Sequence, residues 1–489
     1  MNESPAGTAS WSQLLRRPHL GTVVALAGAV AVFATNNYVT SSLLPSVLAD
    51  IGGERYFAWT ATAFLVASVF AALLISRILS RFGIRNAILL GLTVFAAGSA
   101  LCTVSPSIWF LLLGRLVQGL GGGLMSGLAL ATMRMVLPER LWGRMLVVIS
   151  LMWAIGNVGG PALGGVFAQL GEWRLGFATM LVAAVALAVV AVRSLPGTRG
   201  TEAPEPLPTG SLLIVTAGVA AVSVASIVPK GVPTALMIAL GAALVVAFLG
   251  RERRADNRIL PASTYARGAT LRWYYLGVAG LTVGLTAETF VPLFGQRLAG
   301  LSPLGAGFLG SAISMGWSVA QIVTNDVSGE RAMRRLRVIA PGVVALGLGL
   351  TAVAQRDHAG GGVIAVWVVT LFVAGAGIGM GFARFAFPVM TSSDDPVEAT
   401  KAAAGLNVVQ VISTAFGSAI GGVLVNLGAP SDLHSARLLY GGLAVLALLG
   451  VAAGARTVRV GRPQSEAAAQ PDQREMSTAS TGPGGGAET

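Results

Sequence analysis

Gly156-Asn157-Val158-Gly159-Gly160-Pro161-Ala162-Leu163-Gly164-Gly165 sits inside an apolar run over 143–169. A related stretch, Gly417-Ser418-Ala419-Ile420-Gly421-Gly422, sits inside another apolar run over 401–427, at an offset of 257 residues from Gly160 to Gly417. A second pattern repeats almost in step. Gly119, Gly121 and Gly123 recur as Gly375, Gly377 and Gly379, an offset of 256. Small residues at such spacing let helix backbones approach closely. Two patterns sharing nearly one offset predict a duplicated helical unit.

Working outward, apolar blocks long enough to cross a bilayer, about 20 residues, cover most of the chain. They fall at 20–48, 57–76, 86–104, 107–133, 143–169, 176–195, 210–228, 233–250, 271–294, 304–323, 338–355, 362–388, 401–427 and 437–455. The expected fold is an all-α polytopic membrane protein of fourteen transmembrane helices. A cytoplasmic segment 1–19 leads to a six-helix bundle over 20–195. An inserted helix pair with a basic loop follows over 196–270, then a pseudo-symmetric six-helix bundle over 271–455 and a disordered cytoplasmic tail over 456–489. Two such halves, each packed through glycine, can rock against each other around a site at the membrane midplane.

Composition agrees. The 489 residues are 54% hydrophobic and only 11% charged, against about 25% charged in a soluble domain. The net charge of +12 suggests nucleic acid until the charges are placed. Twenty-five of the 33 Lys and Arg fall on one side of the predicted helices, among them Arg16, Arg17, Arg199, Arg267 and the runs at 251–258 and 331–337. Six fall on the other side, and Arg115 and Arg384 lie within helices. The positive-inside rule makes the rich side cytoplasmic, with both termini there, and leaves no nucleic-acid face. The apolar run after Arg17 is too long for a signal peptide and reads as a retained first helix. Cys102 is the one cysteine, and the three histidines are scattered, so neither a disulfide nor a metal site is expected.

Ionisable side chains inside the membrane are the next candidates for function. Of the 21 acidic residues, Glu288 alone lies well within an expected span. An intramembrane carboxylate is costly unless paired or facing water, and is a functional candidate by default. Arg115 lies too deep to snorkel easily and is expected to pair with polar groups such as Gln118. Arg384 lies nearer a helix end. Asn36, Asn37 and Tyr38 form a polar patch in the first helix. Trp153, Asn157, Trp317, Gln321, Asn407 and Gln410 are further candidates for lining a cavity. Gly305-x-Gly307-x-x-Gly310 matches a dinucleotide fingerprint by spacing, but follows no strand. No phosphate-binding Gly-Lys-Ser/Thr loop is present either, which disfavours ATP-driven transport.

Four stretches resemble the major facilitator superfamily, specifically its fourteen-helix drug:proton antiporters. Arg81, Gly83 and Arg85 are similar to the gating loop between helices 2 and 3, although Ser76 and Ser80 replace the usual Gly and Asp. Arg115, Gln118 and Gly119 resemble the Arg-x-x-Gln-Gly motif, whose Arg is implicated in proton coupling. Gly156, Gly160, Pro161, Gly164 and Gly165 match the antiporter signature, followed by Trp173-Arg174. The stretches 290–293 and 300–307 look like those around helices 9 and 10 of the group. The resemblance implies a proton-coupled exporter of amphiphilic drugs or secondary metabolites in the bacterial cytoplasmic membrane. Its expected partners are the lipid bilayer, a small-molecule substrate and protons, with no enzymatic activity, no cofactor beyond the proton gradient, and a monomeric state. In that group an acid often stands nine residues before the helix 1 proline. Counting back from Pro45 gives Asn36, which moves the expected proton site to Glu288. Uptake by symport or facilitation, lipid or glycolipid export, and a non-transporting receptor or scaffold are the alternatives.

Overall fold

Inside a bilayer every backbone N–H and C=O must find its partner within its own segment, so apolar runs of this length fold as helices. The computed structural model describes residues 11–16, 18–197, 209–255, 258–266, 268–325, 327, 329–392 and 396–460. Arg17, Arg199, Arg267 and the tail 461–489 lie outside the described residues.

After a single turn at Trp11–Leu14, the helices are α1 (Leu20–Ile51), α2 (Phe57–Leu73), α3 (Ile75–Thr103), α4 (Ile108–Val136), α5 (Glu139–Gln169) and α6 (Trp173–Ser194). A pair follows, α7 (Thr209–Ala225) and α8 (Val232–Arg254). The remainder are α9 (Leu271–Leu285), α10 (Val291–Ala299), α11 (Pro303–Thr324), α12 (Glu330–Ala354), α13 (Gly361–Met390), α14 (Pro396–Gly428) and α15 (Asp432–Val460).

Among the described residues, 12 helices are long and apolar enough to cross a membrane. The pair α9 and α10, bent by 40°, makes a thirteenth span if the two are taken together. Helix α7, with 17 residues, is shorter than the roughly 20 residues a span needs. Two expected helices also change shape. The block at 271–294 is not one helix but breaks at the 3-10 turn Thr286–Thr289. Pro292, in the first turn of α10, has no N–H to give the carbonyl of Glu288, so the α-helical ladder cannot run through. The block at 86–104 begins earlier, at Ile75, and kinks at Gly83, where φ is 72° and ψ 175°. Only glycine takes that conformation without strain.

Helix contacts repeat in order. In the first six helices α1 packs on α4, α5 and α6, α2 on α4, and α3 on α4 and α6. In the last set α9 packs on α13, α14 and α15, α11 on α13, and α12 on α13 and α15. The duplicated glycines sit at matching contacts. A Cβ on Gly119 or Gly123 would strike the α2 backbone at Phe64 and Ser68, and one on Gly375 or Gly379 the α11 backbone at Ile313 and Trp317. Gly121 and Gly377 stand likewise against α3 at Phe95 and α12 at Val344.

The two sets meet chiefly along two seams, α5 with α11 and α2 with α14, and α1 also touches α10 and α11. A Cβ on Gly165 would lie 2.5 Å from Leu304 Cα at the first, and one on Gly422 2.6 Å from Ala58 Cβ at the second. Helix α7 packs on both α2 and α14. The Trp59 indole donates to the Ser223 carbonyl at 2.9 Å, and the Lys230 ammonium beyond α7 donates to the carbonyls of Leu427 and Ala429.

Candidate functional site

The 3-10 turn that interrupts α9 and α10 carries Glu288. Its Oε1 accepts a hydrogen bond from Ser314 Oγ of α11 at 2.6 Å. Ser314 Oγ in turn lies 3.2 Å from the hydroxyl of Tyr38 on α1. A carboxyl from the last set of helices is thus linked through one serine to a tyrosine of the first. No basic side chain pairs with Glu288 among the described residues.

The glycine signature of α5 forms the wall of this site. A Cβ on Gly160 would collide with Cβ of Tyr38, and one on Gly164 would lie 2.7 Å from the Val39 carbonyl. Gly156 stands against Ala34, 2.8 Å from its Cβ by the same measure. Pro161 has a distinct effect. Lacking an N–H, it leaves the carbonyl four residues earlier without its helical donor. That carbonyl belongs to Asn157, and it accepts instead from Ser311 Oγ across the seam at 3.0 Å. Gly307, from the spacing that mimics a nucleotide fingerprint, packs against Ser42 and Pro161.

The same end of the molecule is closed further out. Phe57 and Phe290 rings stand 5.4 Å apart. Arg297 of α10 reaches Glu54 at 2.8 Å and Asp432 at 3.0 Å. Asp50 accepts from Trp173 Nε1 at 3.0 Å and from Arg174 at 2.9 Å, tying α6 to α1.

Arg115 lies in a separate cluster. It is 2% exposed, donates to the Thr60 carbonyl at 3.2 Å, and bonds Gln118 Oε1. Its guanidinium stands 4.3 Å from the Phe64 ring centroid, and Gln118 passes a bond on to Ser99 at 2.8 Å. These partners all belong to α2, α3 and α4.

The remaining expected residues are dispersed. Asn36 is fully buried, and its amide has no hydrogen-bond partner among the described residues. Asn37 bonds its own helix at Phe33. Trp153 is half-exposed against Phe33. Trp317 donates to Gln321 at 2.8 Å; Asn407 is exposed and Gln410 partly buried. Arg384 is buried and bonds the Thr324 carbonyl at the end of α11. The carbonyl of Arg384, left free by Pro388, accepts from Arg337 at 3.2 Å. Around the Gly83 kink, Arg81 is exposed beside Phe82 and Arg85 donates to the Leu195 carbonyl at 2.7 Å, closing the end of α6.

Sequence reasoning missed Ser311 and Ser314. Two signals pointed to them. Pro161 implies an orphan carbonyl at Asn157, and the hydroxyls at 311, 314 and 318 repeat at helical spacing along one apolar helix.

Comparison with known proteins places this geometry. The sequence model of the Major Facilitator Superfamily matches residues 24–410. A Mycobacterium tuberculosis protein described as a "probable multidrug-efflux transporter" is 42% identical over 460 residues, covering 93% of this chain and 97% of its own length. The multidrug efflux pump SdrM of Staphylococcus aureus is 24% identical over 311 residues, covering 62% of this chain and 68% of the pump. Among solved structures, a peptide transporter, POT, in complex with sulfate superposes with a TM-score of 0.66 at 18% identity, covering 90% of this chain and 95% of its own. A D-xylose-proton symporter superposes with a TM-score of 0.63 at 16% identity, covering 88% and 96%. With its helical repeat, its two seams and these relatives, the chain belongs to the major facilitator superfamily and is a multi-pass membrane transporter, not an enzyme.

Proposed function

We propose that this transporter exports amphiphilic drugs or secondary metabolites across the bacterial cytoplasmic membrane in exchange for protons. The relative described as a multidrug-efflux transporter supports the substrate class, and the antiporter signature along α5 supports the direction. The observation that carries the coupling is the position of Glu288. It is an acid at membrane depth, on the turn that breaks a span, hydrogen-bonded to a serine that faces the opposite set of helices. A carboxyl group there is costly as a lone anion, so exchanging a proton for a cationic or neutral substrate is the chemistry it fits. Arg115 serves the same cycle by fixing α2, α3 and α4 to one another.

In this reading all fourteen apolar segments, α7 and the joined α9–α10 included, cross the membrane, as in the fourteen-helix antiporter group. The arginine-rich ends are cytoplasmic, both termini among them, and the monomer is the working unit. The closed end, with Arg297 and the Gly165 contact, then faces outward. With one acid in the site, one proton crosses per substrate. For a monovalent cation no net charge moves and the pH gradient alone drives export; a neutral substrate also gains about 2.3 kcal/mol per 100 mV.

Everted vesicles test the proposal, with ethidium as the amphiphilic cation. Energised vesicles should accumulate it and lose it when the pH gradient is collapsed. Glu288→Gln should remove accumulation while the protein stays in the membrane. Wild-type accumulation by that variant would overturn the assignment of the proton site.

A further inference from the structure

The link from Glu288 to Tyr38 runs through a single serine hydroxyl, and a hydroxyl carries one hydrogen. While Glu288 is ionised it can only accept, so Ser314 must donate to it. The Ser314 oxygen is then an acceptor for the neighbouring hydroxyl, and Tyr38 must donate. The carboxylate thereby sets the direction of both bonds; its own bond is charge-assisted and roughly twice as strong as a neutral one, and it polarises the hydroxyl that Tyr38 donates to.

We infer that Ser314 and Tyr38 form a lock on the empty, deprotonated transporter, holding α1 against α11 at the closed end until a proton or a substrate engages Glu288. This rests on the reading of Glu288 as the proton-binding group and adds what the proton controls. A proton on Glu288 gives the carboxyl its own O–H. Ser314 no longer has to donate to it, the hydroxyl of Tyr38 is no longer committed, and the contact across the seam weakens. A cationic substrate that pairs with the carboxylate competes for the same oxygen and has the same effect. An antiporter must not reorient with neither ligand bound, because that step lets substrate leak back without a proton. The lock opposes that step. Ser314 and Tyr38 are positioning residues; they act through Glu288.

The surroundings leave Glu288 as the group that switches it. The elements packed on its turn are α9, α10, α11, α14 and α15. Among the described side chains, their charged and titratable groups are placed elsewhere. Arg297 is held by Glu54 and Asp432, Arg437 donates to the Gln355 carbonyl, and Tyr275 donates to the Ala402 carbonyl. Tyr440 lies against Phe294, Arg272 and Arg456 flank Trp273, and His434 stands at the exposed start of α15 beside Ser431. Tyr274 accepts from Arg337, and Glu398 and Lys401 lie at the opposite end of α14.

The test is conformational and needs no substrate. Spin labels on cysteines placed at the exposed positions Leu170 and Asp357, one beyond each set of helices at the closed end, report its opening in nanodiscs. The full-length protein should show mainly the short distance. Ser314→Ala, the near-isosteric Tyr38→Phe and Glu288→Gln should each move the closed-to-open ratio toward open by about tenfold, while Ser314→Thr, which keeps the hydroxyl, retains the wild-type ratio. Ser314→Ala added to Glu288→Gln should change nothing further, because both break the same chain. A wild-type distance distribution for both Ser314→Ala and Tyr38→Phe, or additive shifts in the double variant, would overturn the lock. Wild-type ethidium accumulation by Glu288→Gln, by contrast, would overturn Glu288 as the proton site and leave the distance result standing.

Discussion

Arg115 and Glu288 are both ionisable residues set among apolar helices, and they are held in opposite ways. Arg115 is bound inside one set of helices, with a carbonyl, an amide and an aromatic face supplied by its own half. Glu288 has one bond, and that bond leads through Ser314 to the other half. A buried charge whose partners move with it is part of a rigid body. A half-buried acid whose hydrogen-bonded chain crosses to the other half would, on the proposed reading, sense whether the two halves are in contact. On the proposed reading, that difference separates scaffold from switch without reference to which residue carries the larger charge.

The sharpest way to break this contrast is to compare transport with stability at the two positions. Glu288→Gln should lower ethidium export by roughly a hundredfold or more, within the range of removing an essential proton-transfer group, with little change in thermal unfolding. Arg115→Met should do the reverse, lowering the unfolding temperature clearly. It leaves the buried Gln118 Oε1 without its donor, costing about 1–3 kcal/mol, and removes the packing of the guanidinium on Phe64. Equal thermal losses at both sites would remove the distinction.

A smaller effect should come from the seam itself. Gly160→Val pushes a branched side chain into Cβ of Tyr38, an overpacking that costs about 1–3 kcal/mol. It should slow transport more than it lowers stability, because the strain falls where α5 meets the switch. Ser311→Ala leaves the Asn157 carbonyl without its cross-seam donor and should cost about 1 kcal/mol, read as a modest rise in the open population of the labelled pair. Arg297→Gln is expected to do least. Its carboxylate partners are substantially exposed, at 65% and 40%, and such pairs are worth at most about 1 kcal/mol. A loss of transport as large as that of Glu288→Gln would move the gate from the serine chain to this ion pair.

Much of the helical layout was legible in the sequence, because apolar length is a local property. The duplicated glycines even named the contacts they make, as Gly119 and Gly375 do against the matching helices. Three things were less legible. The break at Thr286–Thr289 needed the lost hydrogen bond of Pro292 to be counted rather than the hydropathy of 271–294. The early start of α3 escaped notice because charged residues at 77–85 read as a loop, whereas they are helical up to a single glycine kink. The partner of Glu288 depended on which face of α11 meets α1, a tertiary fact that no spacing within one helix supplies. The polar residues Asn407, Gln321 and Trp153, chosen by type alone, lie apart from it.

Helix α7 gives the molecule a front and a back. A pseudo-twofold pair of bundles would offer the surrounding lipid two equivalent side entrances, one at each seam. Here the entrance between α2 and α14 is panelled over by α7, fastened through Trp59, while the one between α5 and α11 has no counterpart to it among the described helices. The seam that α7 leaves uncovered is the one lined by Pro161 and Ser311, so the surrounding lipid meets two unlike sides of the molecule.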